Sequence, residues 1–228
     1  MRKTVIAVLV CLVLVSNNES FAAHPLITDD TGTQGRGNSQ LETTVTWLTD
    51  QDTSGEGVRE TGSFAALVFA AGVSETLDVI VGVPYVWTET KEAGQTTRDD
   101  GISDTVLEAK WRFYDKEKFS MAIKPGIFLP TGNEEHGRGT GHTGYTAFLV
   151  STIETEPWAF DANLGYLYLE NKHEERVNLW LASLATRFAV SEQWTIAGEI
   201  GATRNGDPNN SSHPAFAQAG LATQAAAA

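Results

Sequence analysis

The chain has 228 residues, 29 acidic against 16 basic, for a formal net charge of −13. That balance argues against nucleic acid as a partner, because phosphate binding relies on clustered Lys and Arg; an acidic surface otherwise serves solubility. Roughly two hundred residues behind the N-terminal signal described next suit a single all-β domain.

Arg2 and Lys3 precede an apolar stretch from Thr4 to Val15, and Ser20-Phe21-Ala22 makes a small-x-small site, the pattern of a cleaved secretory signal over residues 1–22. At about twelve residues the stretch is too short for a membrane helix, which takes about 20. Cleavage would remove Arg2, Lys3 and Glu19 and leave a still more acidic chain starting at Ala23. It would also remove Cys11, the single cysteine, so the mature chain is expected to hold no disulfide, thiolate nucleophile or cysteine metal site. No later segment is apolar for 18 residues, the nearest run being Ala65 to Val73, so a helical membrane protein is excluded.

Residues 23–39 are polar, with Asp29, Asp30 and several glycines, and lack alternation. The segment either enters a barrel lumen as a small plug or stays periplasmic; terminal polar segments are usually loosely ordered, which favours the second.

Period-two alternation then takes over, placing one set of side chains on each face of a strand. It is cleanest where Leu107, Ala109, Trp111 and Phe113 alternate with Glu108, Lys110 and Arg112. Phe119, Met121, Ile123, Ile127 and Leu129 alternate with Ser120, Ala122, Lys124 and Gly126, and Trp158, Phe160, Ala162, Leu164 and Tyr166 with Ala159, Asp161, Asn163 and Gly165. Weaker versions run from Gln40 to Leu48, Phe64 to Val73, Leu77 to Trp87, Thr143 to Glu154, Val177 to Val190 and Trp194 to Arg204, with a tenth candidate near Pro214 to Leu221. Most match the 9 to 11 residues, roughly, that cross a bilayer at a tilt.

The joins alternate too. Ser74–Thr76, Asp115–Lys118, Thr155–Pro157 and Ser191–Gln193 are short, whereas Thr49–Gly57, Thr88–Ser103, Thr131–His142, Glu170–Arg176 and Asn205–His213 are longer. Outer-membrane barrels have short periplasmic turns and longer external loops. Trp47, Trp87, Trp111, Trp158 and Trp194 fall close to strand ends, where an interfacial girdle would put them. The expected fold is all-β: an antiparallel up-and-down transmembrane β-barrel of about ten strands over residues 40–221, with a low-complexity alanine tail over 222–228. Its expected partners are outer-membrane lipid, the barrel-assembly machinery and a small-molecule cargo.

The run His24-Pro25-Leu26-Ile27-Thr28-Asp29-Asp30-Thr31-Gly32-Thr33 with Gln40-Leu41-Glu42 resembles the mature N-terminus of the phenol-degradation meta-pathway family of outer-membrane proteins. So do Lys124-Pro125-Gly126, Leu129-Pro130-Thr131-Gly132-Asn133-Glu134 and Gly139-Thr140-Gly141-His142-Thr143-Gly144-Tyr145. The resemblance covers roughly residues 24 to 216, including Trp111-Arg112-Phe113-Tyr114 and Gly198-Glu199-Ile200-Gly201. It implies a twelve-stranded, transporter-like barrel; members are labelled transporters by association with aromatic degradation. Such barrels usually end in a further hairpin and a terminal aromatic, whereas this chain ends in Gln224 and four alanines. The expectation is a shortened or altered C-terminus and an incompletely closed barrel.

With the apolar face on lipid, Glu42, Asp78, Glu108, Lys110, Arg112, Lys124, Asp161, Arg187 and Glu199 line the interior. They make either a water-filled, charge-selective passage or a salt-bridge network filling a narrow barrel. The glycine-rich loop after Pro130 lacks the spacing of a phosphate-binding loop. It is expected outside, with His136, Arg138 and His142 at a constriction. No histidine pair has the i, i+4 spacing of a helical zinc site and no Gly-x-Ser-x-Gly is present, so neither a metal, a cofactor nor an enzyme is expected. The alternatives are a structural barrel without transport and a lipid hydrolase pairing His142 with Ser151 or Ser183. The leading expectation is a porin-like channel for passive uptake of small, aromatic or hydrophobic molecules.

Overall fold

The computed structural model describes residues 7–16, 26–52, 59–92, 95–172 and 175–223. They form one antiparallel sheet of twelve strands. The first six are β1 (Ala7–Ser16), β2 (Ser39–Asp52), β3 (Arg59–Ser74), β4 (Leu77–Glu92), β5 (Gln95–Ile102) and β6 (Thr105–Lys116). The rest are β7 (Phe119–Leu129), β8 (Gly144–Thr155), β9 (Trp158–Tyr168), β10 (Asn178–Ala189), β11 (Trp194–Thr203) and β12 (Ala215–Thr223). Each pairs with its neighbour in sequence, except that β5 is a flap on the far half of β4, whose near half pairs with β6. This is the order of an up-and-down β-barrel. Among the described residues no pairing joins β12 to β1 or β2.

Ten strands lie where alternation places them, and two do not. Instead of a long loop from Thr88 to Ser103, β4 runs on to Glu92 and β5 returns along it. That hairpin has no apolar alternation to read; threonines suit its backbone and Glu89 pairs with Arg98 across it at 2.8 Å. The other strand is β1, the apolar stretch that reads as a signal. It pairs with β2 from Ala7 opposite Leu48 to Ser16 opposite Ser39, so with residues 1–22 attached it covers that edge. The cleavage motif Ser20-Phe21-Ala22, most of the loop Thr49–Gly57, His24, His173 and residues 224–228 of the tail lie outside the described residues.

Tight turns hold one end of the sheet: Glu75-Thr76, Glu117-Lys118, Glu156-Pro157 and residues 190–193. Glu117 takes the positive φ (53°) common in short hairpins. The longer connections, 130–143, 169–177 and 204–214, hold the other end. Trp111, Trp158 and Trp194 stand exposed on the outer face at the tight-turn end. Trp87 lies farther along, tilted against Tyr85, and Trp180 packs on His213. The side chain of Trp47 lies outside the described residues.

Burial is inverted relative to a water-soluble protein. Among the described residues five apolar side chains are buried, Val150 and Ala122 among them, against thirteen polar or charged ones, including Asp78, Lys110, Asp161 and Glu199. Leu164, Ile200 and Leu221 are 60–61% exposed on the outer face. Strand β9 alternates accordingly, with Trp158, Phe160, Leu164 and Tyr166 outward and Asp161, Asn163 and Gly165 inward.

Register arranges the inner face in rows. Nearest the tight turns, Ser120, Thr152, Asp161, Ala185, Glu199 and Gln218 lie side by side across β7 to β12. The next row toward the long loops holds Ala122, Val150, Asn163, Ser183, Gly201 and Phe216; then come Lys124, Phe148, Gly165, Leu181 and Thr203. A Cβ at Gly165 would fall on the Phe148 ring, so that ring lies flat across β9. Gly165→Leu is therefore expected to cost about 1–3 kcal/mol, read as a lower urea midpoint. Gly198→Ala, whose Cβ would meet only the Gln218 carbonyl at 3.8 Å, should shift the midpoint little.

Candidate functional site

The inner face is occupied by the chain's own N-terminal segment. Thr28 and Ile27 donate their amides to Glu199 at 2.7 and 2.8 Å, and the Thr28 hydroxyl lies 2.9 Å from Ser183 Oγ. Asp29 is clasped by two ammonium groups, Lys110 and Lys124, each 2.9 Å from one carboxylate oxygen. Oriented to satisfy its neighbours, the Asn163 side chain accepts from the Asp29 amide (2.7 Å) and donates to its carbonyl (2.9 Å). Asp30 lies 3.7 Å from Arg187, and Lys110 donates to its carbonyl at 3.0 Å. Thr31 donates its amide to Thr152 Oγ1 at 3.0 Å and shares a hydroxyl contact with Ser120. Gln34 donates its amide to the Asp78 carboxylate, 2.9 and 3.1 Å from its two oxygens.

These anchors require a curled sheet. From β4, which carries Asp78, to β11, which carries Glu199, is six strand spacings, roughly 29 Å if flat. Six residues of extended chain span at most about 21 Å. The exit is equally tight: Gly37 donates to the Gly72 carbonyl and Gly72 to the Asn38 carbonyl, both at 2.9 Å, and a Cβ at Gly72 would fall on the Gly35 carbonyl.

The sequence-predicted interior residues all lie on this face. Lys110, Lys124, Asp78, Arg187 and Glu199 hold the segment directly. Asp161 takes Arg187 through both Nε (2.9 Å) and Nη2 (3.1 Å) and accepts from Thr152 (2.7 Å). Glu108 stands 3.7 Å from Lys124. Arg112 sits at the tight-turn rim between the Glu75 carbonyl and Asp115, and Glu42 lies opposite Val68 on the neighbouring β3. For residues 23–39 the sequence leaves a lumen plug open and favours a loosely ordered periplasmic segment; the structure holds the described part on the inner face, through Thr28, Asp29, Asp30, Thr31 and Gln34, which sequence reasoning does not name as partners. A usable signal existed: on β6 and β7, Glu108 faces three cations, Lys110, Arg112 and Lys124, and the adjacent carboxylates of Asp29-Asp30 match that excess.

Burial raises the Asp29 pKa, and the attraction of Lys110 and Lys124 more than offsets it, leaving the carboxyl at about 2 against an ordinary 3.8. The arrangement fastens a polar peptide across the inner face with opposed charges.

The loop residues form a separate cluster. Arg138 lies 2.8 Å from Asp99, and His136 Nδ1 lies 3.2 Å from the same carboxylate. Asp104, buried, accepts from the amides of Gly132 (3.1 Å) and Thr140 (2.8 Å). The loop is thus pinned to the start of β6 and to the flap β5. Neighbouring loops join it: Lys172 reaches Glu134 at 2.6 Å, and Arg176 binds carbonyls of Asn205, Pro208 and Asn210. His142 sits in this crown, its carbonyl accepting from the Thr140 hydroxyl. Ser183 lies at the segment, and Ser151 lies on the outer face seven residues along β8 from Gly144, more than about 20 Å from His142. The structure brings His142 to neither serine.

A family model described as "Putative MetA-pathway of phenol degradation" matches residues 22–226. No curated protein matches the chain.

Because Asp29 is depressed only while docked, its contribution is complete above pH 3.8 and disappears as pH falls toward 2, on the order of 2 kcal/mol in all. Hydrogen-exchange protection of the Thr28 and Gln34 amides should fall over that interval. At neutral pH, Asp29→Asn should speed trypsin cleavage after Arg36 several-fold; unchanged cleavage would mean that the segment is held without this carboxylate.

Proposed function

The chain belongs to the phenol-degradation MetA-pathway family, and we propose that it is an exported outer-membrane barrel that passes small molecules inward passively, with residues 26–38 as the internal stopper. The carrying observation is the inverted burial: charges collected on the inner face, large apolar side chains exposed on the outer. Water would penalise that outer face, whereas hydrocarbon penalises neither it nor a fully paired strand ladder. Export follows from the signal pattern of residues 1–22. Removal of that signal frees the edge of β2 during assembly, with the tight turns toward the periplasm and the polar loop crown outside.

The charged stopper favours gated passage over a permanently wet pore. A segment held by ion pairs and hydrogen bonds, with few apolar contacts, exchanges polar partners for water when it leaves rather than exposing apolar surface. The same network also supports the second reading, a closed barrel of structural purpose only. Heat-modifiable gel migration is expected for the folded protein. In planar bilayers, Asp29→Ala should raise mean conductance several-fold over the parent chain. Lys124→Glu, which sets a third carboxylate beside Asp29 and Glu108, should turn selectivity toward cations. Unchanged selectivity with lost stability, or no conductance from the parent and Asp29→Ala together with no uptake defect on deletion, would leave the structural reading standing.

A further inference from the structure

Beneath the stopper two like charges are set against each other. On β6 and β7 the register runs from Glu108 opposite Gly126 to Trp111 opposite Ile123, which places Lys110 against Lys124. Opposed ammonium groups on neighbouring strands destabilise a sheet unless an anion lies between them. The wall supplies one carboxylate, Glu108, 3.7 Å from Lys124, while Asp78 is turned to the Gln34 amide. Among the described residues the ion pairs of Lys110 are with Asp29 and Asp30 of the segment, at 2.9 and 3.9 Å, and with none of the wall. Withdrawal of the segment therefore leaves Lys110 without a paired carboxylate.

Asp29 fills this place as a ligand would. Each of its two oxygens takes one ammonium at 2.9 Å, a geometry matched to the fork of a carboxylate. Asp30 sets a second carboxylate alongside, 3.9 Å from Lys110 and 3.7 Å from Arg187, whose Nε is held by Asp161 at 2.9 Å. Because Lys110 reaches both, the two carboxylates lie close enough for one short molecule to carry the pair. The side chains of Asp29 and Asp30 stay 27% and 23% exposed, so the seat is open to a solute.

We propose that Lys110, Lys124 and Arg187 form a binding site for a short aliphatic dicarboxylate such as succinate, which takes the places of Asp29 and Asp30 and so releases the stopper. The segment and the solute cannot hold the lysines together. The segment thus competes from within the chain, and the apparent affinity for the solute falls by the fraction of time that the seat is filled. The site rests on the uptake reading for its purpose and makes opening conditional on an anionic solute.

The test is titration calorimetry of the full chain in detergent, at constant ionic strength, with succinate and with its uncharged diamide. Asp29→Asn together with Asp30→Asn keeps the shape of the segment and removes its charge. The doubly substituted chain should bind succinate about tenfold or more tightly than the parent, and neither should bind the diamide. Adding Lys110→Gln should weaken succinate about tenfold, whereas adding Lys91→Gln, the same charge change on an exposed side chain of β4, should not. In the parent, saturating succinate should speed trypsin cleavage after Arg36 several-fold over chloride of the same ionic strength. That arm needs no variant and decides the matter if the substituted chains lack heat-modifiable migration. The site is overturned if the doubly substituted chain binds succinate no better than the parent, if binding survives Lys110→Gln, if the diamide binds as well, or if cleavage is no faster in succinate than in chloride. Succinate binding by a chain that conducts nothing would sink the uptake reading and leave the site; conductance without succinate binding would do the reverse.

Discussion

An ammonium group aimed into the interior of a barrel must keep its water or find a counter-charge, and Lys110 and Lys124 share the carboxylate of Asp29 as their nearest one, with Asp30 and Glu108 farther off. The path of residues 26–38 is organised around that pairing. With Asp29 fixed between β6 and β7 and on Asn163 of β9, Thr28 comes within reach of Glu199 and Ser183, and Thr31 of Thr152 and Ser120. Gln34 then meets Asp78. The segment ties together strands that are far apart in the sheet, so the same contacts that satisfy the charges hold the curl.

The two faces of the sheet solve different problems. Outward side chains are mostly large and apolar, Leu164, Ile200 and Leu221 among the most exposed. Inward side chains are polar near the tight turns, where the segment satisfies them, and apolar near the long loops, where it does not reach. The division follows strand register, because residues opposite one another on neighbouring strands share a face: the row nearest the tight turns is polar apart from Ala185, and large apolar side chains enter from the next row on. A one-residue slip of β9 would turn Asp161 outward, and one of β11 would do the same to Glu199.

The loop crown is fixed by a third device. Asp104 at the entry to β6 accepts backbone amides from Gly132 and Thr140, and Asp99 on the flap holds Arg138. Lys172 and Arg176 carry the connection on to the next loops through Glu134 and the carbonyls of 205–210. Linked in this way, the crown stands beside the apolar upper part of the inner face, while the N-terminal segment lies across the part nearer the tight turns.

Alternation along each strand and the contrast between short and long joins determine the all-β, up-and-down order from sequence, because side-chain period and turn length are local properties. They also determine which charges face inward: Asp78, Lys110, Lys124, Asp161, Arg187 and Glu199 all lie on the inner face. The polar flap β4–β5 stays hidden, since its threonines and charges alternate no hydrophobicity. The docking of Thr28 to Gln34 stays hidden too, because a polar segment without period reads the same whether it is solvated or clasped. What tertiary structure alone decides is the meeting of Asp29 with two lysines about 80 and 95 positions away. That meeting depends on curvature, which brings non-neighbouring strands within side-chain reach and which no single strand encodes.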